Sequence, residues 1–305
     1  MKTLKLIFHF LFLLLFFGNC TTGQSQQSET SKTNTTTTEQ TKITQQPLPK
    51  NIKYTWHNSN DASTRLINQV PTPEGFQRVK TSNNSFQQWL QFLPLSPKGE
   101  KIKLYDGSTK WKQSANHRLI NIDVGKRDLQ QCADAVMRLR SEFLFGKKQY
   151  SKIHFNYTNG TKVSFDDWRN GKKPIVKGNK VTFSNTGKKD DSYASFKKYL
   201  IQIFNYAGTA SLEKEMKKVP IMNMQIGDVL IQGGHPGHAI LVVDMAENEN
   251  GEKLYLLAQS YMPAQSIHIL KNPSNRKLSP WFKLNKDQEI DTPDWGFMPS
   301  DLKRF

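Results

Sequence analysis

The fold is decided at residues 226–244, which read IGDVLIQGGHPGHAILVVD. Gly227 and Asp228 precede a first apolar run, a glycine-rich connection follows, and His238 begins a second apolar run. Short apolar runs that are bounded by glycine and proline are typical of buried β-strands. We therefore predict two neighbouring strands here, with the imidazole of His238 at the start of the second.

The remaining pattern predicts helices first and an antiparallel sheet in the later half of the chain, which is an α+β fold. A helix is expected to start at Asp128 and to end near Gly146. Its apolar residues recur at helical spacing, namely Leu129, Cys132, Val136, Leu139 and Phe143. A third strand, 254–260, follows the second through a hairpin connection that ends in Asn-Gly. The tail from Lys271 is expected to wrap the surface.

Cys132 is the only cysteine after residue 20, and two interpretations of it remain open. It belongs to the apolar stripe of its helix, and free cysteine is among the most buried residue types. It also lies near the predicted helix start, where unpaired amides and the helix dipole favour the nucleophilic thiolate. The two interpretations are compatible if only the first turn of the helix is exposed.

His238 is the candidate base for this thiol. A strand start beside a glycine-rich turn can hold an imidazole in a cleft, although a histidine at such a position is more often structural. The hairpin between the second and third strands brings Gln259, Ser260 and Tyr261 opposite His238 to within a residue or two. Of these, Gln259 can accept the ring N–H through its side-chain carbonyl. His268 is the fallback for this orienting role.

A hydrolase of this kind also needs hydrogen-bond donors for the oxyanion that forms on the attacked carbonyl group. The backbone amide of Cys132 is one candidate, and the side-chain amide of Gln131 or Gln130 is another. The two glutamines are chosen because they directly precede the cysteine in the sequence.

A metal site is the alternative interpretation of the polar residues in the same stretch. His235, His238, Asp228 and Asp244 all carry possible ligand atoms. The chain has neither an HExxH motif nor a cysteine pair after residue 20, and a zinc site requires three or four well-placed ligands. We therefore predict no metal and no cofactor.

Residues 227–243 resemble the histidine segment of NlpC-type cell-wall peptidases, with a Gly-Asp pair, apolar residues, a Gly-His pair and an apolar run. The resemblance implies a papain-like fold and an enzyme that hydrolyses amide bonds in peptidoglycan stem peptides. It assigns Cys132 as the nucleophile, His238 as the base and Gln259 as the polar third residue. Residues 131–134, Gln-Cys-Ala-Asp, depart from the Asp-Cys-Ser-Gly signature of typical members.

Longer stretches resemble an uncharacterised bacterial family of domains of unknown function. They are RDLQQCADA at 127–135, YAGT at 206–209, AQSYMPAQ at 258–265 and SPW at 279–281. The resemblance spans residues 65–305, which is nearly all of the globular part. It predicts family membership and implies no particular activity.

Residues 1–20 predict an export signal. Lys2 and Lys5 precede or flank an apolar run that ends at Phe17, and this run is shorter than the about 20 residues that cross a bilayer. The run is followed by Cys20 in a context that resembles a lipoprotein signal, in which the cysteine is lipidated and becomes the mature N-terminus. Plain secretion, with Cys20 inside the removed peptide, is the alternative.

Residues 21–50 are rich in Thr, Ser, Gln and Lys and predict a disordered tether. Residues 51–305 carry all six tryptophans and predict a single globular domain. The formal net charge of the chain is +17, which indicates either a well-solvated lysine-rich surface or attraction to an anionic envelope polymer or membrane. Nucleic acid is not an expected partner, because the chain is predicted to be exported and has no nucleic-acid motif.

Two functions remain as hypotheses. The first is an envelope-anchored, papain-like cysteine hydrolase that acts on amide bonds, with peptidoglycan stem peptides as the expected substrate. The second is a catalytically inactive lipoprotein that binds an anionic envelope ligand in the same cleft. The first hypothesis requires Cys132 to be partly exposed and within hydrogen-bond reach of His238.

Overall fold

Residues 45–305, the part of the chain that the computed structural model describes, form six α-helices and fifteen β-strands. The helices are α1 (Leu66–Gln69), α2 (Phe86–Gln91), α3 (Cys132–Gly146), α4 (Phe165–Arg169), α5 (Tyr193–Tyr206) and α6 (Thr209–Glu215). The strands are β1 (Phe76–Arg78), β2 (Asn116–Leu119), β3 (His154–Asn156), β4 (Lys162–Ser164), β5 (Lys173–Lys177), β6 (Lys180–Ser184), β7 (Lys217–Lys218), β8 (Val229–Gln232), β9 (His238–Asn248), β10 (Lys253–Gln259), β11 (His268–Leu270), β12 (Phe282–Lys283), β13 (Ile290–Asp291), β14 (Gly296–Phe297) and β15 (Leu302–Arg304). No helix within this range is long and apolar enough to cross a membrane. The predicted export signal, its Cys20 and residues 21–44 of the predicted tether lie outside the described residues.

A nine-stranded antiparallel sheet is the largest feature of this region. Its strands follow the order β2-β11-β10-β9-β8-β15-β7, and β1 and β12 pair with β9 and β10, respectively. Three two-stranded ladders, β3-β4, β5-β6 and β13-β14, lie outside it. The prediction of a mixed α and β protein with a large antiparallel sheet is confirmed.

β8 and β9 form at the two predicted apolar runs and pair in antiparallel fashion, with Gln232 opposite His238. β9 continues to Asn248, beyond its predicted end, and the chain then returns as β10. Both β9 and β10 are almost entirely buried, because α2 and α3 pack against this part of the sheet. A strand that is buried along most of its length reads as a continuous apolar run, as this one does.

Two glycines bring helices close to the ends of these strands. Gly227, just before β8, has a φ of +94°, which residues with side chains rarely adopt, and it lies against the ring of Phe86 in α2. A side chain at Gly237, just before β9, would overlap the Thr209 hydroxyl of α6 and the carbonyl oxygen of Gln232. The chain therefore reaches the start of β9 in a position that only glycine allows.

α3 begins three residues later than the sequence predicts, with Gln131 rather than Asp128 as its N-cap. The Asp128 carboxylate instead accepts hydrogen bonds from the Ala264 N–H at 2.7 Å and from the Gln131 side chain at 3.0 Å. The Asp134 carboxylate accepts the Gln131 N–H at 3.0 Å. Cys132 is therefore the first residue of the helix, where backbone amides lack acceptors within the helix.

A buried charged cluster holds the loop that leads into α3. The guanidinium of Arg138 is bonded to the carboxylate of Glu142, to Asp123 at 2.7 Å and to the side-chain oxygen of Gln130. Arg138 is 1% exposed. Through its bonds to Asp123 and Gln130, Arg138 ties residues 123–131 to α3 and fixes their path.

The C-terminal tail differs from its prediction. We expected the chain from Lys271 onward to wrap the surface, but β15 lies inside the main sheet, between β8 and β7. Leu302 of β15 pairs with Leu230 and is fully buried. A strand of three residues is too short to show an alternating pattern, which is why the sequence did not reveal it.

Candidate active site

The candidate nucleophile, Cys132, lies where α3 meets β9. It is the first residue of α3, it is partly exposed, and it is the only free cysteine among residues 45–305. The backbone amide of Ala239 in β9 is among the groups that lower the pKa of its thiol against the larger effect of burial. Because Ala239 directly follows His238, the thiol lies near the start of the strand that carries the candidate base.

His238 and Gln259 are brought together by the ladder between β9 and β10. His238 is the first residue of β9 and Gln259 is the last residue of β10, and these strands are antiparallel neighbours. The Nε2 atom of His238 lies 2.8 Å from the Oε1 atom of Gln259. Each residue is 1% exposed, so this hydrogen bond is shielded from water.

A carboxylate that the sequence did not indicate, Asp294, sets the orientation of Gln259. The Nε2 atom of Gln259 donates to Oδ2 of Asp294 at 2.9 Å. A carboxylate only accepts, so the amide nitrogen of Gln259 must face Asp294 and its carbonyl oxygen must face His238. Lys112 approaches the other oxygen of Asp294 at 3.4 Å and balances its charge.

This chain of hydrogen bonds sets the tautomer of His238. Because Oε1 of Gln259 is an acceptor, Nε2 of the neutral ring carries the proton and Nδ1 holds a lone pair. Nδ1 is therefore the nitrogen of this ring that can act as a base. Cys132 and His238 are thus the candidate nucleophile and base, Gln259 is the candidate orienting amide, and Asp294 holds this amide.

Burial has the largest effect on the pKa values of His238 and Cys132. It lowers the pKa of His238 to about 4, and the smaller effects of Gln259 and Asp294 act in the opposite direction. Burial also raises the pKa of Cys132 above its usual value, and hydrogen bonds from backbone amides only partly offset this. The expectation that the helix start lowers the thiol pKa is outweighed by desolvation. The resting pair at neutral pH is therefore a thiol and a neutral imidazole.

Three aromatic side chains enclose the imidazole of His238. The ring centroids of Tyr261, Trp295 and Phe297 lie 5.0, 5.5 and 5.9 Å from it. The indole N–H of Trp295 donates to Oε1 of Gln232 at 2.8 Å, which fixes the plane of the indole. These rings exclude water from the imidazole and explain its burial.

The matched protein family covers the whole of this site. Residues 66–304 match the family described as Domain of unknown function (4846). The chain belongs to this family. No curated protein and no solved structure matches the chain. The predicted membership of a family of domains of unknown function is thus confirmed, and the match includes Cys132, His238, Gln259 and Asp294.

In this member of the family, the two glutamines considered as oxyanion donors make other hydrogen bonds. Nε2 of Gln131 donates to Asp128 at 3.0 Å, and Nε2 of Gln130 donates to the Asp123 carbonyl oxygen at 3.2 Å. The donors that remain at the thiol are the backbone amides in the first turn of α3, including that of Cys132.

The fallback orienting residue, His268, is fully buried in β11 and lies opposite Gln259 in the ladder. Its Nδ1 atom is 3.0 Å from the carbonyl oxygen of Ser266. Burial lowers its pKa to about 4. Gln259, and not His268, makes the hydrogen bond to His238.

The residues considered as metal ligands are engaged elsewhere. Arg304 donates two hydrogen bonds to Asp228, at 2.6 and 2.8 Å, and Arg78 donates to Asp244 at 2.7 Å. His235 is exposed, whereas His238 is buried. Among the described residues, no group of three or more His, Cys, Asp or Glu side chains is arranged to hold a metal ion.

Asp294, Trp295 and Phe297 are site residues that the sequence analysis missed. Asp294 and Trp295 lie at the turn between β13 and β14, where Thr292 and Trp295 are joined by backbone and side-chain hydrogen bonds, and Phe297 is the last residue of β14. The run Thr-Pro-Asp-Trp is a recognisable turn signal, because proline and aspartate favour turns. Nothing in that run indicates that it lies close to His238 in the folded protein.

Proposed function

We propose that this protein is a papain-like cysteine hydrolase that cleaves amide bonds, with Cys132 as nucleophile, His238 as general base and Gln259 as the orienting residue. The observation that carries the proposal is the hydrogen-bond chain from Asp294 through Gln259 to Nε2 of His238. It leaves Nδ1 of His238 as the basic nitrogen, and Cys132 begins the helix that packs against the strand of His238. A base held in one tautomer beside a cysteine at a helix start is what nucleophilic catalysis requires.

In the proposed reaction, Nδ1 of His238 takes the thiol proton while the sulfur of Cys132 attacks the carbonyl carbon of the substrate. Backbone amides in the first turn of α3 stabilise the oxyanion that develops. The imidazolium then gives its proton to the leaving nitrogen, so that the C–N bond breaks and the amine departs. Water attacks the thioester with His238 again as base, which releases the acid and restores the thiol.

The pH dependence of this route follows from the resting protonation states. Since burial holds the pKa of His238 at about 4, the base is unprotonated throughout the neutral range. We expect the rate of the acylation step to fall only as the pH decreases towards 4. A pH–rate profile with an acid limb near 6.5, the ordinary value for histidine, would contradict this assignment.

We infer peptidoglycan stem peptides as the substrate and the bacterial cell envelope as the location. Support comes from the sequence of residues 1–50, which predicts an export signal, lipidation of Cys20 that would anchor the chain to a membrane, and a polar tether. The resemblance of residues 227–243 to the histidine segment of NlpC-type peptidases supports the same substrate. The net charge of +17 favours an anionic envelope polymer as the partner.

Acyl transfer to Cys132 tests the proposed chemistry without the natural substrate. The full chain is mixed with p-nitrophenyl acetate, and both nitrophenolate release and the mass of the protein are followed. We expect an acetyl thioester on Cys132, and its formation should be slowed about 10²–10⁴-fold in His238→Ala. Cys132→Ser should lose the thioester, while His235→Ala removes an exposed histidine from the same connection and should react like the wild type.

The burial of the Cys132 thiol also favours a second function. Because burial raises the pKa of the Cys132 thiol, a catalytically inactive module that binds an anionic envelope ligand is the alternative. Equal acetylation rates for wild type and His238→Ala would support this alternative and reject the hydrolase. Incubation of the full chain with purified peptidoglycan, followed by identification of new amino and carboxyl termini, tests the substrate separately from the chemistry.

A further inference from the structure

A second cleft lies beside the edge strand β2, apart from the candidate active site. Its volume is about 670 Å³, which is within the range of small-molecule binding sites. In the sheet order, β11 and β10 separate β2 from β9. Since neighbouring strands are about 4.8 Å apart, the line of β2 is roughly 15 Å from the line of β9.

This cleft collects positive charge. Its lining includes Lys98, Lys101, Lys271 and Arg118, against a single carboxylate, Glu100. The three lysines are exposed, and none of them forms a salt bridge within residues 45–305. The positive charges around the cleft are thus not neutralised by the described part of the protein.

Arg118 adds a buried charge that has no carboxylate partner. It is 7% exposed, and its guanidinium donates to two neutral acceptors, Oε1 of Gln69 at 2.8 Å and the carbonyl oxygen of Ser96 at 2.9 Å. Its Nε atom has no hydrogen-bond partner among the described residues. A buried guanidinium without a counter-ion is unfavourable, and an anion in the cleft would compensate it.

The pKa of His117 depends on the charges around the same cleft. Burial lowers its pKa to about 4, and the positive charges of Arg118, Lys271 and Lys98 act in the same direction. An anion bound near these groups would stabilise the imidazolium form and raise the pKa of His117.

We propose that the cleft beside β2 binds a phosphate-bearing anion, with the three lysines at its rim and Arg118 at its wall. Four cationic groups against one carboxylate fit a ligand with more than one negative charge, such as a diphosphate or a phosphate ester. The phosphate belongs either to a soluble compound or to a lipid headgroup. This binding site is independent of the proposed hydrolase activity.

Calorimetric titration of the full chain with inorganic pyrophosphate at physiological ionic strength tests the site. The variant Lys98→Gln/Lys101→Gln/Lys271→Gln removes the charges of the rim. The variant Lys188→Gln/Lys189→Gln/Lys286→Gln removes the same net charge from three exposed positions outside the cleft. We expect binding to weaken at least about tenfold in the first variant, because charge-assisted hydrogen bonds are lost, and to stay unchanged in the second.

NMR titration of His117 provides a second measurement that does not depend on the lysine variants. Pyrophosphate should raise the pKa of His117 in the wild-type chain and leave it unchanged in the rim variant. Arg118→Met, checked by circular dichroism for an intact fold, should also bind less pyrophosphate. An equal loss of binding in both triple-lysine variants, or no change in His117 at saturating pyrophosphate, would overturn the proposal.

Vesicles distinguish the two sources of phosphate. A lipid headgroup would be supported if the chain binds phosphatidylglycerol vesicles but not phosphatidylcholine vesicles. This binding should then be lost in the rim variant and kept in the other triple-lysine variant. Binding to pyrophosphate without vesicle binding that depends on the rim would support a soluble ligand. The lack of rim-dependent binding to either probe would reject the site.

Discussion

The segment 226–261 and the tail 271–305 meet at the same site, but they reach it in different ways. The segment contributes His238 and Gln259 from the adjoining ends of two long, consecutive strands, β9 and β10. The tail contributes Asp294 from a turn between the two-residue strands β13 and β14. Local ladder pairing fixes the segment, whereas contacts between residues distant in the sequence fix the tail.

The two regions therefore have separate roles in the site. The segment places the imidazole of His238, the proposed base, at the start of a buried strand. The tail determines how that imidazole is oriented and shielded, since Asp294 holds the amide of Gln259 and Trp295 and Phe297 lie against the ring. Substitutions in the segment and in the tail should accordingly be distinguishable by experiment.

The largest effect is expected where the tail enters the sheet. Leu302 of β15 and Leu230 of β8 pair with each other, and each is fully buried. We expect Leu302→Ala and Leu230→Ala each to lower the free energy of unfolding by about 2–5 kcal/mol, because each leaves a cavity in the core. Urea unfolding of the full chain measures both values.

Met298→Ala is the matched control within the tail, because Met298 is 52% exposed. It should change the free energy of unfolding by less than about 0.5 kcal/mol. A value as small as this for Leu302→Ala, beside a large one for Leu230→Ala, would show that the tail is only attached to the sheet and is not part of its core.

The two regions also differ in their effect on how the free energy of unfolding changes with pH. The tail contains no histidine, whereas burial lowers the pKa of His238 in the segment and of His268 in β11 to about 4 each. Unfolded imidazoles titrate near 6.5, so between about pH 6.5 and pH 4 the unfolded state binds more protons and the free energy of unfolding falls as the pH falls. The shift of His268 alone corresponds to roughly 3 kcal/mol.

Urea unfolding at pH 7 and at pH 4.5 measures this loss. His268→Gln removes one of the titrating groups and should lose less stability between the two pH values than the wild type. Leu302→Ala, a substitution in the tail, should be less stable at both pH values but should retain the wild-type difference. If His268→Gln also retained the full difference, the pKa of His268 in the folded protein would have to be near its ordinary value.

The orienting role of the tail is tested by Asp294→Asn. An asparagine can both donate and accept, so the amide of Gln259 is no longer restricted to one orientation. We expect the acetylation of Cys132 to slow about tenfold, which corresponds to the ~1.4 kcal/mol typical of one hydrogen bond. Asp287→Asn changes an exposed carboxylate of the tail and serves as the control.

The ¹⁵N chemical shifts of the His238 ring distinguish positioning from a general loss of structure. In the wild-type chain, Nε2 should carry the proton, and in Asp294→Asn the second tautomer should become populated. A slower reaction with an unchanged tautomer would mean that Asp294 acts on the site by some route other than Gln259.

The features that could be predicted from the sequence are those that depend on neighbours along the chain. The hairpin between β9 and β10 connects His238 to Gln259 over 21 residues, so the strand pattern alone places Gln259 within a residue or two of the position opposite His238. The periodicity of α3 located Cys132 in its first turn. The N-cap was misplaced because the carboxylate of Asp128 binds the backbone of Ala264, 136 residues away.

The features that could not be predicted depend on tertiary packing. β13, β14 and β15 have two or three residues each, which is too few for any period, so the approach of Asp294 to Gln259 has no local signature. The pKa of Cys132 was expected to fall because of the helix start, a local effect. It is raised because of burial, which depends on how the helix packs against the sheet.

The smallest effect distinguishes the aromatic residues that the two regions place beside His238. Trp295, in the tail, donates a hydrogen bond to Gln232 at 2.8 Å, whereas the Tyr261 hydroxyl, in the segment, is 3.5 Å from the carbonyl oxygen of Asp294. Trp295→Phe should therefore lower the free energy of unfolding by about 1 kcal/mol, and Tyr261→Phe by less than about 0.5 kcal/mol. Urea unfolding of both variants measures this difference. Equal values would mean that the indole is held by ring packing alone, and the tail would then contribute shielding to the site without a fixed geometry.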